Sequence, residues 1–330
     1  MGGFVWLVMA CGRPGDTSAG GEDAPPAGVG VEGDSADSGS GDPVEPPGGP
    51  ACLAWGEPVL ASEVHADLYE ISAIVASWRN PGVLWVLQDA YNEPVLHAMD
   101  ATGNALDTLT LDGVENIDWE ALAVGVCDEG TCLWVGDIGN NRQDREEVRL
   151  LRVPEPEVPA GGGMALHATP AVFPLVYAEG AVDAEALAVT PDGTPVIVSK
   201  RYDWTAGIYL VEDPNPGVVG TPVRVGTLST ARDGETDMEG AVTAADLWPD
   251  GSRLLIRTYG RVWEFDVPEG GVAGIGAAPR AELPFAAWEH AEGVAYDARA
   301  RGYWQVEEWG HAPLWFVPCL DGHTLATIPG

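Results

Sequence analysis

The amino-acid sequence predicts an all-β protein with a single β-propeller domain, most simply with five blades and with six as the alternative. A short motif, a glutamate followed by small and aliphatic residues, recurs five times along the 330 residues. Its copies begin at Glu70, Glu120, Glu185, Glu239 and Glu292, so the intervals are 50, 65, 54 and 53 residues. A period of about 50 residues with several short strands per unit is typical of propellers. The 43 glycines, 27 prolines and 13 tryptophans fit a protein made of strands and turns.

Each unit divides into short strands that favour four-stranded antiparallel blades. In the fourth unit the strands are expected at residues 240–243, 253–259, 262–267 and 280–284. Pro-Asp-Gly turns, such as the one at residues 249–251, separate first strands from second strands, where a hairpin needs a tight turn. The fifth unit has no fourth strand of its own, and residues 53–60 can supply it. The sequence therefore predicts a ring closed by an N-terminal strand.

Three segments are expected along the chain. Residues 1–11 are short, apolar and end in Val-Met-Ala-Cys, which resembles a bacterial lipobox, although no basic residue precedes Cys11. Residues 12–50 are rich in Gly, Pro, Ser, Asp and Glu, a composition typical of a disordered acidic tether. Residues 51–330 form the propeller domain. We therefore expect an exported protein that is lipidated at Cys11 and anchored by that lipid alone to the cell envelope, at the outer membrane or the cell surface.

The four remaining cysteines allow three disulfide pairings. Cys127 and Cys132 flank the turn Asp-Glu-Gly-Thr, which favours a hairpin disulfide. Cys52 and Cys319 lie at the two ends of the folded region, where a bond between them would close the ring. A zinc site is the rival interpretation, but the separations do not suit one. Two disulfides indicate an oxidising compartment.

The formal net charge of −35 limits the partners that the protein can bind. Nucleic acid is a poor partner, because phosphate backbones are bound by clustered lysine and arginine. The chain also has no glycine-rich loop with a lysine that would cradle phosphates, so no nucleotide cofactor is expected. Divalent cations are the natural counter-ions of such a chain, although an acid-rich proteome explains the same charge. The protein is expected to be a monomer.

The repeated glutamates are the first candidates for a functional site. They begin the inner strands, so we expect them at one mouth of the central channel, where five carboxylates would repel one another unless a cation or a basic group joined them. The alternative is that some of them cap turns or bind backbone amides. Second strands end toward the same mouth on polar residues, including Lys200, the only lysine of the chain. The predicted ligand-binding residues are Glu70, Glu120, Glu185, Lys200, Arg201, Glu239, Arg257 and Glu292.

The segment Asp137-Ile-Gly-Asn-Asn-Arg142 concentrates oxygen atoms in a glycine-containing loop, as calcium prefers, although Asn and Gly also build ordinary tight turns. Together with the Asp-x-Glu-Ala-Leu-Ala-Val motif, this segment resembles a group of uncharacterised secreted bacterial propellers. It is loosely similar to NHL repeats, to regucalcin-like lactonases and to propeller phytases. The resemblance implies a calcium-type ion at the channel mouth. With the loop carboxylate included, the expected metal ligands are Glu120, Asp137, Asn140, Asn141 and Glu185.

Three functions follow as hypotheses. The first is an envelope-anchored propeller that binds a small molecule or a protein partner at a carboxylate-rich mouth stabilised by calcium. The second is a calcium-dependent hydrolase of phosphoesters, lactones or related esters at the same site. The third is a purely structural interaction module. Should the protein be an enzyme, the candidate catalytic residues are Glu120, Asp137, Lys200 and Arg257.

Overall fold

The computed structural model describes residues 51–65, 67–159, 161–232, 234, 236, 238–287 and 290–321. These residues all belong to one compact unit that spans residues 42–330. The predicted signal segment, the predicted tether and Cys11 lie outside the described residues, so lipid anchoring stays a prediction. In the described part of the chain, no helix is both long and apolar enough to cross a membrane.

The described residues form twenty-one strands and one 3-10 helix, Val272–Ala277. In chain order the strands are β1 Val59–Glu63, β2 Ile71–Ala76, β3 Val83–Gln88, β4 Val95–Asp100, β5 Ala105–Leu111, β6 Trp119–Cys127, β7 Gly130–Asp137, β8 Val148–Pro154, β9 Ala165–Ala168, β10 Ala171–Leu175, β11 Ala184–Val189, β12 Pro195–Ser199, β13 Thr205–Leu210, β14 Val223–Ser229, β15 Val242–Leu247, β16 Arg253–Thr258, β17 Val262–Asp266, β18 Arg280–Leu283, β19 Ala291–Tyr296, β20 Gly302–Glu307 and β21 Pro313–Pro318.

The strands assemble into five antiparallel sheets, which confirms the five-bladed propeller. Blade 1 is β2-β3-β4-β5, blade 2 is β6-β7-β8-β10, blade 3 is β11-β12-β13-β14, blade 4 is β15-β16-β17-β18, and blade 5 is β19-β20-β21-β1. The inner strands β2, β6, β11, β15 and β19 contact one another in that order, and β19 returns to β2. The ring is therefore closed around one axis.

The longest interval between motif copies contains a strand that leaves its own blade. After β8 the chain crosses to blade 1, where β9 adds a fifth strand parallel to β5, with Thr108 opposite Ala165. It then returns to blade 2 as β10. The 65-residue interval thus encodes this crossing.

Ring closure follows the expected route with a shifted boundary. Strand β1 pairs with β21, so the closing strand is Val59–Glu63, whereas residues 53–60 were expected. Trp55 makes only an isolated bridge to Cys319, and its ring packs edge-on against Tyr303 at 4.9 Å. Pro58 has no backbone N–H to donate to the ladder, and the regular pairing begins at the residue after it.

Both expected disulfides are present. Cys52 and Cys319 are bonded with a Cα–Cα distance of 5.8 Å and join residues 267 positions apart. Cys127 and Cys132 close the β6–β7 hairpin with a Cα–Cα distance of 5.9 Å. The first bond ties the two ends of the propeller ring together, so it constrains the unfolded chain over almost its whole domain.

Small residues allow the inner strands to converge. A Cβ atom on Gly125 would lie 2.4 Å from Val189 of the next blade, and one on Gly293 would lie 2.8 Å from Ile74. Most of the other inner-strand positions are alanine, valine, leucine or isoleucine, and most of these are buried. This packing explains why small residues follow each motif glutamate.

Candidate functional site

Each inner strand begins with a β-bulge at one end of the channel, which we call the axial mouth. The register shifts lie between Ile71 and Ala73, Trp119 and Ala121, Ala184 and Ala186, Val242 and Ala244, and Ala291 and Gly293. The bulged residues are therefore Ser72, Glu120, Glu185, Thr243 and Glu292. A bulge re-aims the side chain of its extra residue, and here it does so at the same position in five blades.

The bulges correct the expected ring of five glutamates. Three motif glutamates occupy the bulged position, but in blades 1 and 4 a hydroxyl residue occupies it. Glu70 lies just before β2 at the rim, where Asn92 Nδ2 donates to its carboxylate at 3.2 Å. Glu239 lies before β15, is exposed, and accepts a hydrogen bond from the backbone N–H of Thr236 at 2.6 Å. The residue after the bulge is alanine in four blades and Gly293 in the fifth, and aligning the repeats on this small residue identifies Ser72 and Thr243.

The two bulged hydroxyls hold neighbouring blades together. Ser72 Oγ donates to the carbonyl oxygen of Trp119 at 3.0 Å, and Thr243 Oγ1 donates to that of Ala291 at 2.7 Å. Each bond reaches the inner strand of the next blade around the ring. Blades 1 and 4 therefore contribute a neutral contact where the other blades contribute a carboxylate.

The three bulged glutamates lie buried around one lysine. Glu120, Glu185 and Glu292 are 6%, 3% and 7% exposed. Lys200 Nζ forms an ion pair with Glu185 Oε1 and donates to the Tyr259 hydroxyl at 2.9 Å. Glu185 Oε2 is buried and has no hydrogen-bond partner among the described residues. One ammonium group thus serves several buried carboxylates.

Burial raises the pKa values of these carboxyl groups. It holds the pKa of Glu120 and Glu185 well above the usual range; the nearby charge of Glu185 raises that of Glu120 further, whereas Lys200 partly offsets the effect at Glu185. Burial also raises the pKa of Glu292 to about 7, although the Lys200 ammonium partly lowers it. At neutral pH the Glu292 carboxyl is therefore protonated in part of the molecules, and a cation could displace that proton.

A second set of carboxylates lies beside the first. One oxygen each of Asp89, Asp118 and Glu120 lie within 4.8 Å of one another. Burial and the charge of Asp89 raise the pKa of Asp118 to about 6. In the described part of the chain none of the three forms an ion pair. Gly139 lets the following loop approach them, because a Cβ atom there would lie 2.6 Å from Asp118 and 2.7 Å from Glu120.

The Asp137 carboxylate, in contrast, has a complete set of partners. Asp137 is fully buried and pairs with Arg145 Nη2 at 2.8 Å and Arg149 Nε at 2.7 Å. The backbone N–H of Asp118 also donates to it at 3.1 Å. The side chain of Asn140 is bonded to the backbone N–H and carbonyl of Arg145, both at 3.0 Å.

The expected calcium ligands therefore do not assemble as one set. Glu120 and Glu185 lie at the axis, whereas the side chains of Asp137 and Asn140 are already hydrogen-bonded to other residues and Asn141 is exposed. The loop was predicted as a metal site because it is rich in oxygen atoms. In the structure, Arg145 and Arg149 already bind the Asp137 carboxylate oxygens. The better donor set for a hard cation is Asp89, Asp118 and Glu120. Asp89 follows the second strand of blade 1, β3, and Asp118 precedes the inner strand of blade 2, β6.

Among the described residues, neither predicted arginine forms an ion pair with an axial glutamate. Arg257 is fully buried and donates to Gln305 Oε1 at 2.9 Å and to the Ala286 carbonyl at 3.2 Å. Burial lowers its pKa to about 10. Arg201 is exposed and pairs with Asp203. Of the basic residues predicted for ligand binding, only Lys200 pairs with an axial glutamate.

The five sheets form a closed ring, and buried carboxylates lie at one end of its axis. These features define a β-propeller with an acidic axial mouth. No family model and no curated protein matches the chain. Among solved structures it is similar to the PQQ-bound form of aldose sugar dehydrogenase from Streptomyces coelicolor, with 13% identity, a TM-score of 0.45, and coverage of 81% of this chain and 99% of that one. It is also similar to a chain of the mitotic checkpoint complex, with 13% identity, a TM-score of 0.35, and coverage of 74% and 61%.

Proposed function

We propose that this protein is an envelope-anchored propeller whose axial mouth binds a divalent cation of the calcium type and, through the mouth, a ligand or partner. The observation that carries the proposal is the convergence of Asp89, Asp118 and Glu120, none of which forms an ion pair among the described residues, although Lys200 and Arg145 act on them from farther away. Export is supported by the two disulfides, which form and persist in oxidising compartments.

The chemistry of the mouth favours a hard cation. Carboxylate oxygens are the ligands that calcium takes in proteins, at distances of about 2.3–2.6 Å. Burial and the charge of Glu185 raise the pKa of Glu120, and burial and the charge of Asp89 raise the pKa of Asp118; a bound divalent ion would stabilise the charged form of both groups. Lys200 already neutralises Glu185, so the unneutralised charge is concentrated on the other set.

Calcium titration by calorimetry tests this proposal. We expect saturable binding to the purified protein at pH 7 and a loss of at least tenfold in affinity, roughly 1.4 kcal/mol, for Glu120→Gln. Glu239→Gln is the matched control, because it removes a carboxylate of the same motif that is exposed rather than buried. Equal calcium binding by both variants, or none by the parent protein, contradicts the proposal.

Hydrolysis is the second candidate function, and Glu292 is the observation that favours it. A carboxyl group with a pKa of about 7 is suited to accept and return a proton near neutral pH. Lys200 and Tyr259 lie beside it and could orient a substrate oxygen. Turnover of chromogenic phosphoesters, esters or lactones, lost in Glu292→Gln and retained in Glu239→Gln, would establish this activity. A lack of turnover on all three classes would leave a binding protein.

A further inference from the structure

The end of the propeller that carries the axial mouth also carries exposed aromatic side chains. Among the residues that the structure describes, the exposed aromatic side chains are Tyr69, Tyr91, Tyr202 and Trp309, which are 49%, 90%, 43% and 57% exposed. Tyr69 precedes the inner strand β2, and the other three follow the second strands β3, β12 and β20. Inner strands begin and second strands end at the mouth, so all four lie there. We call these four residues the aromatic rim.

Contacts connect the aromatic rim to the charged centre. The Lys200 ammonium interacts electrostatically with the Tyr202 hydroxyl, and the Trp309 ring packs edge-on against His290 at 5.1 Å, two residues before Glu292. The Cβ of Tyr69 lies 3.7 Å from the position that a Cβ on Gly310 would occupy, next to Trp309. The rim therefore borders the same carboxylates from blades 1, 3 and 5.

Lys200 illustrates how this mouth holds an organic cation. Its ammonium group pairs with Glu185, donates to the Tyr259 hydroxyl, and lies 4.9 Å from the centre of the Tyr259 ring. A carboxylate combined with an aromatic face is the arrangement that binds ammonium and guanidinium groups. Glu185 Oε2 is buried and has no hydrogen-bond partner among the described residues, so it can accept a hydrogen bond from a bound ligand.

We propose that the axial mouth binds an organic cation, an ammonium or guanidinium group joined to an apolar body, with the charged group among the axial carboxylates and the body against the aromatic rim. The inference rests on the proposed function, because the same carboxylates receive the cation, and it adds the chemical class of the ligand. An anion would be repelled by these carboxylates and by the net charge of −35. An inorganic ion alone would leave the four aromatic side chains without a role.

Three small probes separate the contributions of charge and ring. The probes are 4-phenylbutylamine, its uncharged analogue 4-phenylbutanol, and butylamine, which lacks the ring; each is titrated into the full-length protein by calorimetry. We expect 4-phenylbutylamine to bind roughly tenfold or more tightly than the alcohol, and roughly threefold or more tightly than butylamine. Equal affinity for amine and alcohol overturns the inference, as does no binding of the amine at about 10 mM, a concentration that reveals even millimolar affinity.

Variants of the rim distinguish this inference from the proposal of a calcium site. Trp309→Ala and Tyr91→Ala are expected to weaken 4-phenylbutylamine roughly three- to tenfold while calcium affinity stays within about twofold. Met164→Ala is the control, because Met164 is equally exposed but precedes β9 at the outer edge of blade 1. Rim variants that bind the amine as well as the parent protein does overturn the inference. Calcium binding without amine binding refutes the inference alone, and amine binding without calcium binding refutes the metal site alone.

Discussion

Two buried carboxylates at the same end of the propeller, Asp137 and Glu120, differ in their partners. Asp137 accepts hydrogen bonds from two arginines and one backbone N–H, and it is completely enclosed. Glu120 lies near Asp89, Asp118 and Glu185, all of the same charge. Both were selected from the sequence as metal ligands. The comparison shows that a buried carboxylate indicates a binding site only when the fold leaves its charge without a fixed counter-ion.

The largest expected loss of stability comes from changing Asp137, the carboxylate that already has a full set of partners. Asp137→Asn leaves Arg145 and Arg149 buried or half-buried without their charge partner, so the free energy of unfolding should fall by about 3–5 kcal/mol. Because the loop is structural, the loss should be the same with calcium and with a chelator. Urea unfolding in both conditions measures it. A loss below about 1 kcal/mol, or one that calcium restores, would assign Asp137 to the ion site.

Glu120→Gln should change the stability gained from calcium and should not lower the stability measured in a chelator. In a chelator the variant should be as stable as the parent protein or more stable, because it removes one of several repelling carboxylates. At a calcium concentration about 100 times the dissociation constant, the parent protein should gain about 2.7 kcal/mol and the variant should gain little. The same urea experiment compares the two proteins. An equal calcium gain in both would show that the ion binds elsewhere.

A third buried carboxylate, Glu292, should make the stability of the protein depend on pH. It lies near Lys200, Tyr259 and Glu308. Its pKa in the folded protein is about 7, above the unfolded value, so its protonated form favours folding. This contribution is complete below about pH 4.5 and is lost as the pH rises through 7.

In a chelator the parent protein should therefore be less stable at pH 8 than at pH 5. Glu292→Gln should reduce that difference by about 2 kcal/mol. Unfolding curves at both pH values and one ionic strength provide the measurement. A variant with an unchanged pH slope would mean that other groups determine it.

The smallest expected effects concern the neutral bulges. Ser72→Ala and Thr243→Ala each remove one buried hydrogen bond to the neighbouring blade, so each should lower the free energy of unfolding by about 1 kcal/mol. Neither change should alter the response to calcium. A change in calcium affinity in either variant would extend the ion site to blades that contribute no bulged carboxylate.

The sequence was sufficient for those features that depend on local pattern and on the chain ends. The repeat predicted five blades, the turn around Cys127 predicted a hairpin disulfide, and the positions of Cys52 and Cys319 predicted the closing bond. The bulges were not predicted, because a glutamate and a hydroxyl at equivalent positions look unrelated in one sequence. The counter-ions of Asp137 were not predicted either, since Arg145 and Arg149 reach it from a loop and from the third strand of its blade.

The most direct test of the central claim is a crystal structure of the full-length protein grown with calcium and then with manganese, whose anomalous signal marks the ion. The account predicts one ion at the axial mouth, with oxygen atoms of Asp89, Asp118 and Glu120 at about 2.0–2.6 Å. An ion bound in the loop of residues 137–142, or a mouth without any ion at saturating metal, would contradict it.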